Sequence, residues 1–390
     1  MRNHDRRREV PPALAAFRGG NRAVALSARS ITASLEVPDC VRRQVFDAAG
    51  MPFDRFAELL GCPSGEQAQH AFRRGNQFEA RVMENHCAEL IALLRTHLGL
   101  AINSVREVDL SAEQVQADYG TNRGLNQLRA ELTRQHLRRM VNGEEGAPTL
   151  LQHAMTTLEV GDDVAYLEQD ALAVVADGTV HVVEMKSFPK LDGHADPAKA
   201  DAARRQSAVY ALSLISAMVT LGMSESAVSM KALLVIPENF SLTPVAHVID
   251  LSRQVNRLRK QLERRPRNAD LVDLLPYGAA LPDLQALPEE GPAREAAEAT
   301  VREVVAALPC RFGDGCLSCP AFVFCRDEAQ RTDAVAQLGN AATTTCGGVA
   351  TVTGALALAR GERRPRTEAE QALAAALGRA AEVHEMELGA

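Results

Sequence analysis

The spacing of apolar positions changes character twice along the chain. Over residues 66–98, Phe78, Val82, Met83, Cys87, Leu90, Ile91 and Leu94 recur three and four apart, which predicts one long helix with an apolar stripe. Before it, residues 31–60 alternate short apolar clusters with charge around Pro38 and Pro52, as two short helices would. After it, residues 122–140 predict an Arg-dense helix that Gly143 and Gly146 end. The middle of the chain has the shorter period of strands. Residues 164–167, 171–176 and 180–187 are short apolar runs, and Asp177-Gly178 between the last two predicts a hairpin. Then come a loop at 189–197, a long helix at 198–221, strands at 231–237 and 245–251, and a basic helix at 252–264. The Pro- and Gly-rich stretch 276–292 is expected to be irregular, and the Ala-rich tail beyond Cys325 helical. Strands flanked by long helices imply an α/β core. No internal repeat is present.

Composition sharpens this picture. The 390 residues are 46% apolar, enough for a real core, but only 4% aromatic with no Trp, which argues against an extended base-stacking platform. The formal net charge of −7 leaves room only for a local basic groove toward nucleic acid. Basic residues concentrate at Arg6–Arg8, Arg73-Arg74, 129–139 and 253–267; Arg73 and Arg74 precede Glu79 on its own helix, from where they could reach a nucleic-acid backbone, while the other runs most often form solvated helix faces. No apolar run reaches the roughly 18 residues of a membrane span, and no apolar segment follows the charged first ten residues as in a secretory signal. A cytoplasmic protein is expected. Residues 1–25 suggest a basic flexible arm, 26–330 the core and 331–390 a helical tail. Four of the eight cysteines fall between Cys310 and Cys325, which suggests metal binding before disulfides.

The stretch from Tyr166 to Ser187 carries candidate chemistry. Glu184 and Lys186 lie two apart on an apolar strand, so their side chains leave one face. Asp170 lies just before the first strand of the hairpin, where pairing can bring it beside Glu184. Two carboxylates and a lysine at one end of a hairpin suit phosphodiester hydrolysis. The acids hold Mg²⁺ or Mn²⁺, and the lysine orients water or stabilises developing charge. A Glu-x-Lys on a strand is most often a solvated pair, so three further features matter. Gln206 and Tyr210 are four apart on one helix face. Glu79 sits beside the apolar stripe of the first long helix, where an unpaired carboxylate is costly. The order is helix, hairpin, helix. His153, His181 and His194 flank this stretch as bystanders.

This order and spacing resemble the RecB-like branch of the PD-(D/E)XK nucleases, including the CRISPR-associated iron–sulfur and AddB-type nucleases. Members show G-x-x-x-H, Asp, (D/E)-x-K and Q-x-x-x-Y. Here the matching positions are Gly75, Asp170, Glu184-Met185-Lys186, and Gln206 with Tyr210; Glu79 stands where the family has His. The resemblance implies a restriction-endonuclease-like mixed sheet flanked by helices, with helical N- and C-terminal additions. It implies metal at Glu79, Asp170 and Glu184, and hydrolysis of DNA, with single-stranded ends preferred. The implied setting is repair, recombination or defence, with a helicase or other repair or defence protein as partner. No Walker A motif is present, so ATP-driven unwinding would belong to another chain.

Cys316, Cys319 and Cys325 form C-x2-C-x5-C, and such a site needs a fourth ligand. Cys310 would make a local site, more like zinc. Cys40 is distant, but its surroundings resemble the family's N-terminal segment, with Val41 where the family has proline. That resemblance implies a mainly structural 4Fe–4S cluster on Cys40, Cys316, Cys319 and Cys325, with structural Zn²⁺ the alternative. Cys62, Cys87 and Cys346 are expected to pack as small apolar residues. Two other readings remain: a nucleic-acid-binding scaffold without catalysis, and a zinc-stapled nuclease acting on RNA.

Overall fold

The computed structural model describes residues 10–62, 69–102, 104–120, 124–174 and 178–388. The Arg6–Arg8 run, Asp177 of the expected turn, and the first residues of the helices expected from 66 and 122 lie outside the described residues. The chain divides into two compact units, one built on Ala25–Thr32 and Glu66–Arg265, the other on Glu9–Val24, Ala33–Gly65 and Pro266–Ala390.

The first unit is a six-stranded mixed sheet flanked by helices. Its strands are β1 (Glu107–Asp109), β2 (Leu150–Val160), β3 (Asp163–Val174), β4 (Val180–Met185), β7 (Lys231–Pro237) and β8 (Pro244–Asp250), in that spatial order. The small ribbon of β5 (Lys190–Leu191) and β6 (His194–Ala195) occupies the segment expected to be loop. β1 with β2 and β4 with β7 are parallel, and the other neighbours antiparallel. Phe78, Val82, Leu90, Ile91 and Leu94 of the Gln69–Leu98 helix bury one sheet face with Ala171, Ala173, Val183, Met185, Leu233 and Val235. The helix Pro197–Thr220 starts under an Asp196 cap, whose carboxylate accepts from the N–H groups of Ala198 and Lys199. It packs on the sheet through residues such as Ala208 and Tyr210.

Four sequence expectations change here. The segment 66–98 is not one unbroken helix. Glu84 to Cys87 leave helical geometry, with Asn85, His86 and Cys87 left-handed at φ 52°, 56° and 57°. The Glu107 carboxylate pins this kink, taking His86 Nδ1 at 2.8 Å and the Cys87 thiol at 3.1 Å. The apolar stripe continues across the kink and gives no sign of it. Cys87, expected to be simply apolar, is a partner in this polar contact, and burial together with Glu107 pushes its thiol up to about 12. Asp170 lies inside β3, a single strand where two apolar runs were expected. β2 was not expected at all. Its apolar run is interrupted by Gln152-His153, although Gly161-Asp162 before β3 is the two-residue turn of a hairpin.

The second unit gathers an apolar core around Phe17, Phe46, Phe53 and Phe56, with Phe46 stacked on Phe53 at 4.5 Å. The expected flexible arm is therefore helical over Pro12–Arg18, because Leu14 and Phe17 share a face that enters this core. Cys62 packs in the same core and Cys346 in a small cluster with Val335, Val349 and Leu373. No described helix is long and apolar enough to cross a membrane.

Candidate active site and thiol cluster

Strand alternation sends Val183 and Met185 to the helix Gln69–Leu98 side and Glu184 to the other. Glu184 is wholly buried, at 0% exposure. Ala171 pairs with Val183, so extending the register by one makes Asp170 the lateral neighbour of Glu184. The backbone ladder gives way at this row. The Met185 N–H donates to Asp170 Oδ2 at 2.6 Å, and the Lys186 N–H to the Val235 carbonyl at 3.0 Å. The Lys186 ammonium pairs with Glu184 Oε1. Glu184 Oε2 is buried with no hydrogen-bond partner among the described residues.

These groups feel one another strongly. Burial pushes the Glu184 carboxyl up to about 8; Lys186 opposes the shift, while Asp170 and Glu79 reinforce it. Asp170 is raised for the same reasons, burial first, against Lys186 and the Met185 N–H. The Tyr210 hydroxyl is pushed well above its usual value, first by burial and then by the Glu184 and Asp170 carboxylates. Gln206 Nε2 donates to Tyr210 Oη at 2.9 Å. Asp170, Glu184, Lys186, Gln206 and Tyr210 therefore converge. Arg74 Nε donates to the Ser187 carbonyl at 3.2 Å, placing a guanidinium next to this strand end. A Cβ at Gly75 would lie 3.9 Å from Ser187 Oγ, so space alone does not require glycine there.

Glu79 reaches the same region through a partner that sequence reasoning set aside. Its Oε1 lies 3.0 Å from His153 Nε2, and His153 Nδ1 lies 2.8 Å from Asp109 Oδ1. The bond to Glu79, then that to Asp109, hold the His153 imidazole up at about 9, against burial. The sequence leaves His153 a bystander and gives no signal for Asp109, although the Gly161-Asp162 turn that reveals β2 also sets His153 beside Asp170. His181 and His194 contact the backbone carbonyls of Lys231 and Asp192. Arg129, at the head of a basic run, is not a surface charge. It is 2% exposed and donates to the Leu110 carbonyl at 2.6 Å, and to the His153 carbonyl and Glu168.

The donor set is carboxylate oxygens and one imidazole, which suits Mg²⁺ or Mn²⁺. The partnerless Glu184 oxygen and two acids held above their usual range mark a place where added positive charge would be stabilising. As they stand, the described residues hold no group of three or more His, Cys, Asp or Glu side chains at metal-binding spacing. The acids are closed onto Lys186 and His153 instead.

In the second unit, Cys40 precedes the helix Val41–Ala48 and Cys325 lies on the helix Phe322–Thr332. The Cys310 thiol bonds to both Cys40 and Cys325, although the resemblance leaves Cys310 outside the ligand set. That bond, with backbone N–H groups and Arg42, brings Cys40 down to about 6 despite burial. Cys325 is lowered likewise, and Arg42 Nη1 donates to its sulfur at 3.3 Å. Burial raises Cys319 to about 12, and it lies within electrostatic reach of Cys40 and Cys325. Cys316 accepts from the Gly313 N–H at 3.3 Å. Soft thiolates beside buried arginines suit an iron–sulfur cluster or zinc.

No protein-family model matches the chain, and no curated protein matches it. Among solved structures, the crystal structure of SSO0001 aligns with 45% of this chain and 84% of its own, at 14% identity and a TM-score of 0.19. A likeness that slight carries no argument about fold or activity.

Proposed function

We propose that the first unit has a restriction-endonuclease-like core and hydrolyses DNA phosphodiester bonds with a divalent cation. The observation that carries this reading is the row of acids, Asp170 half-buried beside the wholly buried Glu184, with Lys186 next along the same face. A buried carboxylate with a second one beside it is costly unless positive charge meets them, so a purely structural role is a poor account. A Mg²⁺ or Mn²⁺ ion held by Glu79, Asp170 and Glu184 would acidify a water and neutralise phosphate charge. Lys186 then orients that water or stabilises the developing negative charge. Tyr210, steered by Gln206, presents its hydroxyl to the acids, and Arg74 is placed to meet the backbone of the substrate. In the second unit we propose a structural 4Fe–4S cluster on cysteine. A helicase or other repair or defence protein is the proposed partner.

The test is cleavage of end-labelled single- and double-stranded DNA and of RNA with Mn²⁺ or Mg²⁺. Cation-dependent loss of DNA, faster from single-stranded ends, is the expected result. A folded protein that binds DNA and cation and cleaves nothing would be a scaffold. Cleavage of RNA alone would replace the substrate.

DNA affinity should come from phosphate contacts and not from base reading. In Ca²⁺, log K is expected to fall linearly with log salt, by about 0.7 per phosphate contacted on a single strand. It should vary little between sequences. A flat salt response, or a strong preference for one sequence, counts against this.

A further inference from the structure

His153 occupies a place that the fold goes out of its way to build. The register pairs Gln152 with Ala171 and Ala154 with Gln169, which sets His153 opposite Asp170. His153, Asp170 and Glu184 are thus successive members of one row across β2, β3 and β4. At that row the ladder is interrupted, and His153 takes a left-handed backbone at φ 51°, a conformation that costs a non-glycine residue energy.

Side chains satisfy the backbone groups that the interruption releases. The buried Arg129 donates through Nη2 to the His153 carbonyl at 3.1 Å. The buried Thr133 hydroxyl accepts from the Met155 N–H at 2.9 Å. Both come from the helix Leu125–Val141. Asp109 then fixes the ring through Nδ1 at 2.8 Å, leaving Nε2 facing Glu79. A carboxylate on one imidazole nitrogen is the usual way a protein orients the other nitrogen toward a metal. An imidazole serving only as a bridge between two surface acids would not need a strained strand braced by a buried arginine.

We infer that His153 Nε2 is a direct ligand of the divalent cation, completing a set with Glu79, Asp170 and Glu184 and held in place by Asp109. The inference rests on the cation-dependent reading of this site. On binding, Glu79 would exchange its bond with the ring for the ion. Imidazole favours transition metals over Mg²⁺, so the site prefers Mn²⁺.

The test is spectroscopic and needs no turnover. Mn²⁺ is added to the full chain, and electron spin-echo modulation is recorded with natural-abundance protein and with ¹⁵N-histidine protein. The expected result is ¹⁴N modulation on the bound Mn²⁺ that changes to the ¹⁵N pattern on labelling. His153→Gln should abolish it, and His86→Gln should leave it. Asp109→Asn, which loosens the ring without removing it, should weaken Mn²⁺ about 10- to 100-fold. It should also bring the Mn²⁺ to Mg²⁺ affinity ratio toward that of His153→Gln. Bound Mn²⁺ without histidine nitrogen modulation overturns this inference and leaves the acidic site intact. Failure of Mn²⁺ to bind at all overturns both this inference and the cation-dependent function. Modulation that survives His153→Gln assigns the nitrogen to another histidine and also overturns it.

Discussion

Lys186→Ala is expected to slow DNA cleavage by about 10²- to 10³-fold, the cost of losing one positioned donor to developing charge. Its melting temperature should stay close to that of the parent protein. Lys186 is 27% exposed on its side chain, whereas Glu184 is fully buried. Without the lysine, Glu184 takes up a proton readily, since burial has already brought its carboxyl up to about 8. That caps the structural penalty. Glu184→Gln separates the two roles more sharply. It keeps the shape and removes the carboxylate offered to the cation beside Asp170, so stability should stay close to the parent's, with cleavage lost along with the cation. An ion pair kept for stability predicts the reverse: a large fall in melting temperature and cleavage unaffected. Single-turnover cleavage at saturating Mn²⁺, alongside thermal melts, reads both. A folded Lys186→Ala protein cleaving at the parent rate would remove this strand from the active site.

Much of the first unit was legible because its signals are local. Glu184 and Lys186 fall on one face by strand alternation, and Gln206 and Tyr210 on one face by helical spacing; the structure brings all four together with Asp170. The strands at 231–237 and 245–251 agree with β7 and β8 to within a residue, because Ala232 to Pro237 is one apolar run and Val245-Ala246 and Val248-Ile249 lie close on either side of His247. What escaped depends on contacts distant in sequence. β2 was hidden because Gln152-His153 breaks its apolar run, and what stabilises that break, Arg129 and Thr133, lies on another helix. The kink at 84–87 was hidden because its partner, Glu107, lies beyond the helix. Arg129 shows the limit of reading charge from a run: in the Arg-dense helix it is the one placed inward, where carbonyls and Glu168 replace water. The Pro12–Arg18 helix was masked by the charge of its neighbours, although Leu14 and Phe17 carried the helical spacing.

Cys40→Ser is expected to strip the metal from the second unit and to destabilise it severely. Metal–thiolate bonding in small structural sites contributes on the order of 10 kcal/mol, comparable with the whole stability of a domain. Cys40 begins one helix and Cys325 sits in another, and Cys310, Cys319 and Cys325 line the same core as Phe46. Cys325→Ser and Cys319→Ser should behave like Cys40→Ser. The pair that discriminates is Cys310→Ser and Cys316→Ser. Cys310 is the thiol that bonds to both Cys40 and Cys325, and the resemblance leaves it outside the ligand set. A serine hydroxyl can make the same donations, so Cys310→Ser should keep its iron, while Cys316→Ser should lose it. Iron content, visible absorbance and melting temperature after anaerobic purification measure all five variants. Iron kept in Cys316→Ser and lost in Cys310→Ser would make Cys310 the fourth ligand. A colourless parent protein carrying stoichiometric zinc would replace the cluster itself, and the acids of the first unit would be unaffected.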